Sequence, residues 1–221
     1  MNEPDPRHDH DHHHAYAHDH GSPSAQATQR VNALVATLDA RGITNDAELT
    51  AILERFLAQA GPLNGARLVA RAWSDAGFKE RLLADGNTAI VELGLDMSHW
   101  SPVKLCVVAN TPDVHNVIVC TLCSCYPIAL LGPAPTWYKS EAYRSRVVRE
   151  PRAVLREFGV TLDDHVEVKV WDSTSDLRYL VVPMRPPGTD ALNEEDLAAL
   201  VPRDALIGVA QATQPALAGR G

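Results

Sequence analysis

The stretch VHNVIVCTLCSCYP, residues 114–127, joins a short β-branched run to three closely spaced thiols. The run before the first thiol is typical of a β-strand. Cys120, Cys123 and Cys125 then fall within six consecutive positions of a chain that has only 4 cysteines. A predicted strand therefore leads directly into a cluster of reactive groups.

Two ordinary roles for the thiols fit the spacing poorly. A disulfide between Cys123 and Cys125 would close a very small, strained ring. Cys120 and Cys123 form a C-x-x-C pair, which suits dithiol redox chemistry, but that role leaves the third thiol without a purpose. The redox interpretation nevertheless stays open on spacing alone.

A metal site is the remaining interpretation. Structural zinc typically takes four ligands, commonly as two separated pairs, and the nearest further ligands here are Cys106 and His115. Three thiolates on one tight loop could instead hold one face of a single ion. The backbone nitrogens of Ser124 and Cys125 would then lie close enough to bind it. Spacing leaves both a zinc site and this claw possible.

Three further short runs predict strands around the cluster. VKLCVVAN (103–110) lies upstream beyond the turn signal TPD, and HVEVKVWD (165–172) and LRYLVVPMRP (177–186) lie downstream. Amphipathic runs before and after this strand-rich middle predict helices, with Pro151 opening one and Asn193 capping another. Helices on both sides of a strand-rich middle indicate the α+β class.

Four regions follow from these patterns. Residues 1–27 are predicted to form a disordered tail, since HDHDHHHAYAHDH (8–20) carries seven histidines and no apolar stripe. That tail is either a solvated low-complexity segment or a loose metal store. Residues 28–94 are predicted to form a helical arm, residues 95–210 the α+β catalytic domain, and residues 211–221 a flexible C-terminal tail.

Composition narrows the function classes. The net charge of −8 disfavours nucleic acid as a partner, because phosphate binding needs a basic surface. Membrane spans are not expected, since no apolar run approaches the ~18 residues required. The N-terminus lacks an apolar leader, which favours a cytosolic location. In that compartment clustered thiols are more often metal or redox groups than disulfides.

The chain resembles the α subunit of nitrile hydratase. The resemblance rests on VCTLCSCYP (119–127), WYKSEAYRSRVVREPR (137–152), VKVWDSTSDLRYLVVPMRPPGTD (168–190) and RDALIGV (203–209), and on LVARAWSDAGFKERLLADG (68–86) upstream. It covers about residues 30–209. It implies a helical N-terminal arm followed by a layered α-β-β-α domain. Thr121, which follows the first cysteine, resembles the cobalt type of the family.

The resemblance implies a specific ligand set. One non-corrin cobalt(III) per chain would be bound by the sulfurs of Cys120, Cys123 and Cys125 and by the backbone nitrogens of Ser124 and Cys125. Cys123 would be oxidised to the sulfinic acid and Cys125 to the sulfenic acid. Ser124 and Cys125 would belong to the catalytic centre. Asp172 and Arg178 would hold the ligand residues in place without binding the metal themselves, or would be only a surface charge pair.

The resemblance also implies the reaction and the partners. A lyase of this family hydrates a small-molecule nitrile to an amide with metal assistance, and either water or the Cys125 oxygen attacks the nitrile carbon. The family works with a β subunit, as an αβ pair that doubles to an α2β2 heterotetramer, and receives cobalt from an activator protein.

One departure concerns the substrate. Ile128 stands where the family usually places a tryptophan of the substrate pocket. The γ subunit of thiocyanate hydrolase resembles this chain through the same claw but typically has arginine at that position. An uncharged Ile128 therefore favours a nitrile over the thiocyanate anion. Thiocyanate hydrolysis, and a non-catalytic role in metal binding or storage, remain the alternatives.

Overall fold

The computed structural model describes residues 24–95 and 103–215, with the side chains of residues 55–59 left out. Contacts divide the chain into two units, residues 1–49 and residues 50–221. Within the described ranges, no helix combines the length and the apolar character needed to cross a bilayer.

Most of the secondary structure is helical. The helices are α1 (Ala25–Ala40), α2 (Asp46–Gln59), α3 (Pro62–Ser74), α4 (Ala76–Ala84), α5 (Gly86–Val91), α6 (Ile128–Leu131), α7 (Thr136–Lys139), α8 (Glu141–Val147), α9 (Pro151–Glu157), α10 (Glu194–Ala199) and α11 (Arg203–Ile207).

Within the described residues, four strands form two separate parallel pairs. They are β1 (Lys104–Ala109), β2 (Val114–Val119), β3 (Glu167–Asp172) and β4 (Leu177–Val182). β1 pairs with β4 and β2 pairs with β3. β1 and β2 are neighbours in sequence but do not pair with each other. Parallel partners need a long crossover, and α6 to α9 provide it between β2 and β3.

The first unit contains α1 and the beginning of α2. Ser24 accepts a hydrogen bond from the Ala27 amide and so caps α1. Asn45 does the same for α2 through the Glu48 amide. α1 has no buried residue, although its apolar side chains recur at helical spacing.

The core of the second unit is built on α3 and the strands. Leu68 and Val69 of α3 are fully buried, as are Val117 and Val119 of β2. Gly65 lets α3 approach its neighbours closely, since a Cβ there would lie 2.7 Å from the Leu206 side chain and 3.0 Å from the Leu130 carbonyl oxygen. A large apolar core of this kind can hold one surface loop rigidly.

The predicted α+β class and the four predicted strands are confirmed. Pro151 begins α9 as expected, and the Asn193 side chain caps α10 by accepting from the Asp196 amide. The tail predicted for residues 1–27 lies outside the described residues up to position 23, and the last of its positions already belong to α1. Residues 216–221 of the predicted C-terminal tail also lie outside them.

The helical segment that follows α6 is divided. α7 and α8 are separated at Ser140, whose extended backbone and side chain cap α8 through the Tyr143 amide. Cys106 is half-buried in β1. The short helix α6 gave no periodic signal, because four residues span barely one turn.

Candidate metal centre

The three thiols lie on the loop that follows β2. Cys120 is fully buried, Cys125 is half-buried and Cys123 is exposed. The Cys123 Sγ lies 3.2 Å from the Cys120 Sγ and 3.0 Å from the Cys125 Sγ, and the three sulfurs lie within 4.8 Å of one another. The loop therefore turns all three side chains toward one point.

These distances exclude a disulfide and fit a shared ion. A disulfide bond is about 2.05 Å long, so the thiols are free. Sulfur atoms bound to a common first-row ion at about 2.3 Å would lie no more than about 4.6 Å apart, which is close to the range seen here. Thiolates are soft ligands that suit transition metals. The donor set therefore fits the cobalt claw that the resemblance implies.

The four-ligand zinc arrangement does not form in the described part of the chain. The cluster there contains three sulfurs and no fourth His, Cys, Asp or Glu. His115 lies at the beginning of β2, at the end of the strand opposite Cys120, where its Nε2 lies 2.7 Å from the Gly208 carbonyl oxygen. Cys106 lies within β1 and does not join the cluster.

Cys123 and Cys125 differ strongly in acidity. Hydrogen bonds from the Cys125 and Cys120 thiols lower the pKa of Cys123 to about 7. Burial and the hydrogen bond to Cys123 raise the pKa of Cys125 to about 12, although the positive charge of Arg178 acts in the opposite direction. Of these two thiols, Cys123 is therefore the more acidic, and it is also the more exposed.

Asp172 holds the beginning of the loop. β2 and β3 are parallel with Val119 opposite Asp172, which places this carboxylate beside the first residues after β2. It accepts a hydrogen bond from the Thr121 amide at 2.9 Å and one from the Thr121 hydroxyl at 2.5 Å. The structure thus brings the predicted Asp172 into contact, through Thr121, with the thiol-bearing claw loop (residues 120–125).

Arg178 lies near the claw loop, and its hydrogen bonds in the described structure go to backbone carbonyl oxygens and not to a thiol. Its Nη1 donates to the carbonyl oxygens of Thr174 and Leu177, the latter at 3.1 Å. Its charge nevertheless lowers the pKa of Cys125. The two predicted supporting residues therefore differ, since Asp172 binds the loop directly and Arg178 acts through its charge.

Two residues that sequence reasoning did not single out also hold the loop. The Tyr138 hydroxyl donates to the Cys125 carbonyl oxygen at 3.0 Å, and the Arg144 guanidinium contacts the carbonyl oxygens of Thr121 and Cys123. Burial raises the pKa of Tyr138, so its hydroxyl stays a donor. Both residues lie in the segment 137–152 that carried the resemblance, but spacing gave no sign of their contacts.

The far side of the loop is open. Leu122 is 87% exposed and Ser124 is exposed as well. Ile128, the first residue of α6, is 39% exposed, and α6 is attached to α3 by the Asn64 side chain, which donates to the Ala129 carbonyl oxygen. An open rim beside the thiol cluster leaves the loop accessible from this side.

The sequence of this chain is similar to those of known proteins. The profile of the family "Nitrile hydratase, alpha chain" matches residues 25–210. The α subunit of the low-molecular weight cobalt-containing nitrile hydratase from Rhodococcus rhodochrous is 48% identical over 189 residues, 86% of this chain and 90% of that protein. The γ subunit of thiocyanate hydrolase from Thiobacillus thioparus is 46% identical over 159 residues, 68% of this chain and 65% of that protein.

A solved structure shares the fold. A double mutant of the Fe-type nitrile hydratase from Comamonas testosteroni Ni1 superposes with a TM-score of 0.78 at 39% identity, covering 90% of this chain and 100% of that chain. Similarity in sequence and in fold thus extends over nearly all of the described residues.

Proposed function

The chain belongs to the nitrile hydratase α-chain family, and from that premise we propose that it is the cobalt-bearing subunit of an enzyme that hydrates a nitrile to its amide. The observation that carries this proposal is the convergence of three sulfurs within 4.8 Å on one short loop. The overall reaction adds one water across the C≡N bond, so that the carbon gains oxygen and the nitrogen gains two hydrogens.

The residues that would hold the metal are those of the claw. The sulfurs of Cys120, Cys123 and Cys125 and the backbone nitrogens of Ser124 and Cys125 make the proposed ligand set. A bound cobalt(III) supplies Lewis acidity toward the nitrile or the attacking water. Oxidation of Cys123 to the sulfinic acid and of Cys125 to the sulfenic acid completes the proposed centre.

The chain's own residues keep this loop in place. The Asp172 carboxylate fixes Thr121 at the beginning of the loop, and the Tyr138 hydroxyl holds the Cys125 carbonyl at its end. Arg178 places a positive charge near Cys125, the residue proposed to carry a reactive oxygen. Water or this oxygen attacks the nitrile carbon, and Ile128 lines the approach.

The partner is a β subunit. Curated relatives are named as α subunits, which implies a second chain, and the open rim at Leu122 and Ser124 offers it a contact surface. Assembly to α2β2, delivery of cobalt by an activator protein and a cytosolic location are further parts of the proposal. The resemblance of this chain to the family supports the first two, and its cysteine usage supports the third.

A second candidate is thiocyanate hydrolysis, which the similarity to the thiocyanate hydrolase γ subunit favours. Its substrate is an anion, and a cationic side chain in the pocket would attract it. Ile128 is uncharged and lies at the rim of the claw loop, which supports the nitrile instead. Assays with thiocyanate and with aliphatic and aromatic nitriles on one preparation decide between the two.

The proposal is tested by co-expressing the chain with its β-type partner in cobalt medium. We expect about one cobalt per chain and formation of the amide. Peptide mass spectra should show two oxygens gained by Cys123 and one by Cys125. In Cys123→Ala, cobalt and activity should both be lost, because a three-sulfur face becomes a two-sulfur one.

Cys106→Ala is the matched control, since it removes the one cysteine outside the cluster. It should keep both cobalt and activity. Full activity in Cys123→Ala, or loss of all cobalt when residues 1–27 are deleted, would contradict the proposal and favour metal storage.

A further inference from the structure

Arg144 of α8 turns its side chain toward the claw loop. Its Nη1 donates to the carbonyl oxygens of Thr121 and Cys123, both at 3.4 Å. These two carbonyls lie on either side of Leu122, at the turn between the first and second thiol. One guanidinium group thus holds two points of the loop that determine where the sulfurs lie.

The position of α8 is itself fixed by contacts of Tyr143 with β2 and with Trp137. The Tyr143 hydroxyl, one residue before Arg144, donates to the Ile118 carbonyl oxygen of β2 at 2.6 Å. The Tyr143 ring is buried and packs edge-on against Trp137 at 4.9 Å between ring centroids. Arg144 therefore extends from a rigid support, as a group that positions a loop must.

The neighbouring arginines have different partners. Arg146 forms ion pairs with Glu150 and Glu157, each at 2.6 Å, and Arg149 donates to the Ser145 carbonyl oxygen within its own segment. Arg144 has no carboxylate partner among the described residues. Its Nε is buried and has no hydrogen-bond partner there, which costs free energy and gives no stability to the fold.

The charge of Arg144 matches the charge of the proposed centre. Three sulfurs and two backbone nitrogens that bind as anions gather negative charge on one loop. The Cys123 carbonyl belongs to the same peptide group as the Ser124 nitrogen, and an anionic peptide nitrogen shares its charge with that oxygen. A cation bonded to the oxygen offsets this charge, since charge-assisted hydrogen bonds are stronger than neutral ones.

We propose that Arg144 is a positioning residue for the metal centre: it holds the Thr121 and Cys123 carbonyls and offsets the negative charge that the claw gathers when it binds cobalt. The inference rests on the proposed function, because it assumes that the claw binds the metal. It predicts that Arg144 governs metal loading more than it governs folding.

The test compares Arg144→Met and Arg144→Lys with the wild-type chain, each co-expressed with the β-type partner over a series of cobalt concentrations. Cobalt per chain, the absorption of the sulfur-to-cobalt bands and thermal unfolding of the metal-free protein are measured. Arg144→Met should need about 10-fold more cobalt for half loading, as expected for loss of an outer partner of a metal ligand. Arg144→Lys should fall between, since lysine keeps the charge but not the two-point geometry.

Arg149→Met is the matched control, because it makes the same chemical change at an exposed arginine that bonds only to its own segment. It should load cobalt as the wild-type chain does. Wild-type loading and wild-type absorption bands in Arg144→Met would overturn the inference. So would equal impairment of Arg144→Met and Arg149→Met, or a loading defect that only mirrors lower thermal stability.

The two proposals fail in distinguishable ways. If the wild-type complex carries no cobalt, or Cys120→Ala carries as much as the wild type, the metal function itself is wrong. If the wild type loads, Cys120→Ala does not, and Arg144→Met loads normally, only the role of Arg144 is wrong. If Arg144→Met does not fold, the decision rests on Arg144→Lys. Wild-type cobalt loading and absorption bands in Arg144→Lys overturn the role. Weaker cobalt loading of Arg144→Lys at unchanged thermal stability supports it.

Discussion

The two ends of β2 carry potential metal ligands in opposite surroundings. At its beginning, the His115 ring is 5% exposed and bonds to the Gly208 carbonyl oxygen. At its end, Cys120, Cys123 and Cys125 bond mainly to one another beneath an open rim. A side chain whose polar atoms already have partners stabilises the fold, whereas converging groups without other partners are available for chemistry.

The closed end depends on one glycine. Gly208 ends α11 in the left-handed region with φ of +90°, and a Cβ there would lie 1.9 Å from the Asn116 carbonyl oxygen. This contact is with backbone of β2, so neither side can move away cheaply. The beginning of β2 is therefore tightly packed against Gly208, whereas the loop at the other end of the strand is open.

The largest expected effect comes from filling that contact. Gly208→Ala should destabilise the protein by about 4 kcal/mol or more, because it combines a backbone clash with an unfavourable φ. Urea unfolding of the purified chain, or its absence from the soluble fraction, measures this.

Gly188→Ala is the control, since Gly188 has a φ of +74° but open space around it. It should cost only about 1–2 kcal/mol, the usual penalty for the left-handed region. Equal stability of the two variants would show that the approach of Gly208 to β2 is not tight, and the contrast between the strand ends would weaken.

A smaller effect is expected at the open end. Asp172→Asn keeps the shape of the side chain but removes the negative charge of the carboxylate that accepts hydrogen bonds from the Thr121 amide and hydroxyl. Cobalt loading should weaken about 10-fold, as for other outer partners of metal ligands, with little change in unfolding. Cobalt per chain at limiting cobalt measures the first and thermal unfolding the second.

Asp176→Asn serves as its control. Asp176 accepts a hydrogen bond from the Thr174 hydroxyl in the turn between β3 and β4. Asp176→Asn therefore removes an equivalent charge from a neighbouring turn. If both variants load cobalt equally well, Asp172 is only part of a surface turn and the supporting role proposed for it is wrong.

The smallest effect is a pH dependence at the closed end. A carbonyl oxygen only accepts, so the His115 Nε2 carries the proton in its bond to Gly208. Burial lowers the pKa of His115 below its usual value near 6.5. The unfolded chain therefore binds more protons than the folded chain below about pH 6.5, and the free energy of unfolding falls as the pH falls through that range.

His115→Gln should remove part of this slope between pH 7 and pH 5, although it also lowers stability overall. Denaturant unfolding at several pH values measures it. His165→Gln is the control, since His165 is exposed, and it should keep the wild-type slope. Identical slopes for wild type and His115→Gln would show that His115 is not the group responsible.

Local patterns predicted much of the fold. The strands, the opening of α9 at Pro151 and the cap at Asn193 depend on residues near in sequence, and all were predicted correctly. The break between α7 and α8 gives no such local signal, because only the contact with the Tyr143 amide shows that the Ser140 hydroxyl is a cap. The parallel pairing of β1 with β4 joins residues over 70 positions apart, which periodicity cannot register.

The sequence by itself determined the α+β class and the cluster of three thiols, because these depend on residue types at short spacings, and its resemblance over about residues 30–209 indicated the family. Tertiary structure alone decided through which contacts other side chains reach the claw loop or support the fold. Asp172 reaches Thr121, Arg144 reaches Cys123, and His115 is closed off by Gly208, through contacts between residues 21 to 93 positions apart. Such contacts arise from packing of whole elements, so no local pattern in the chain announces them.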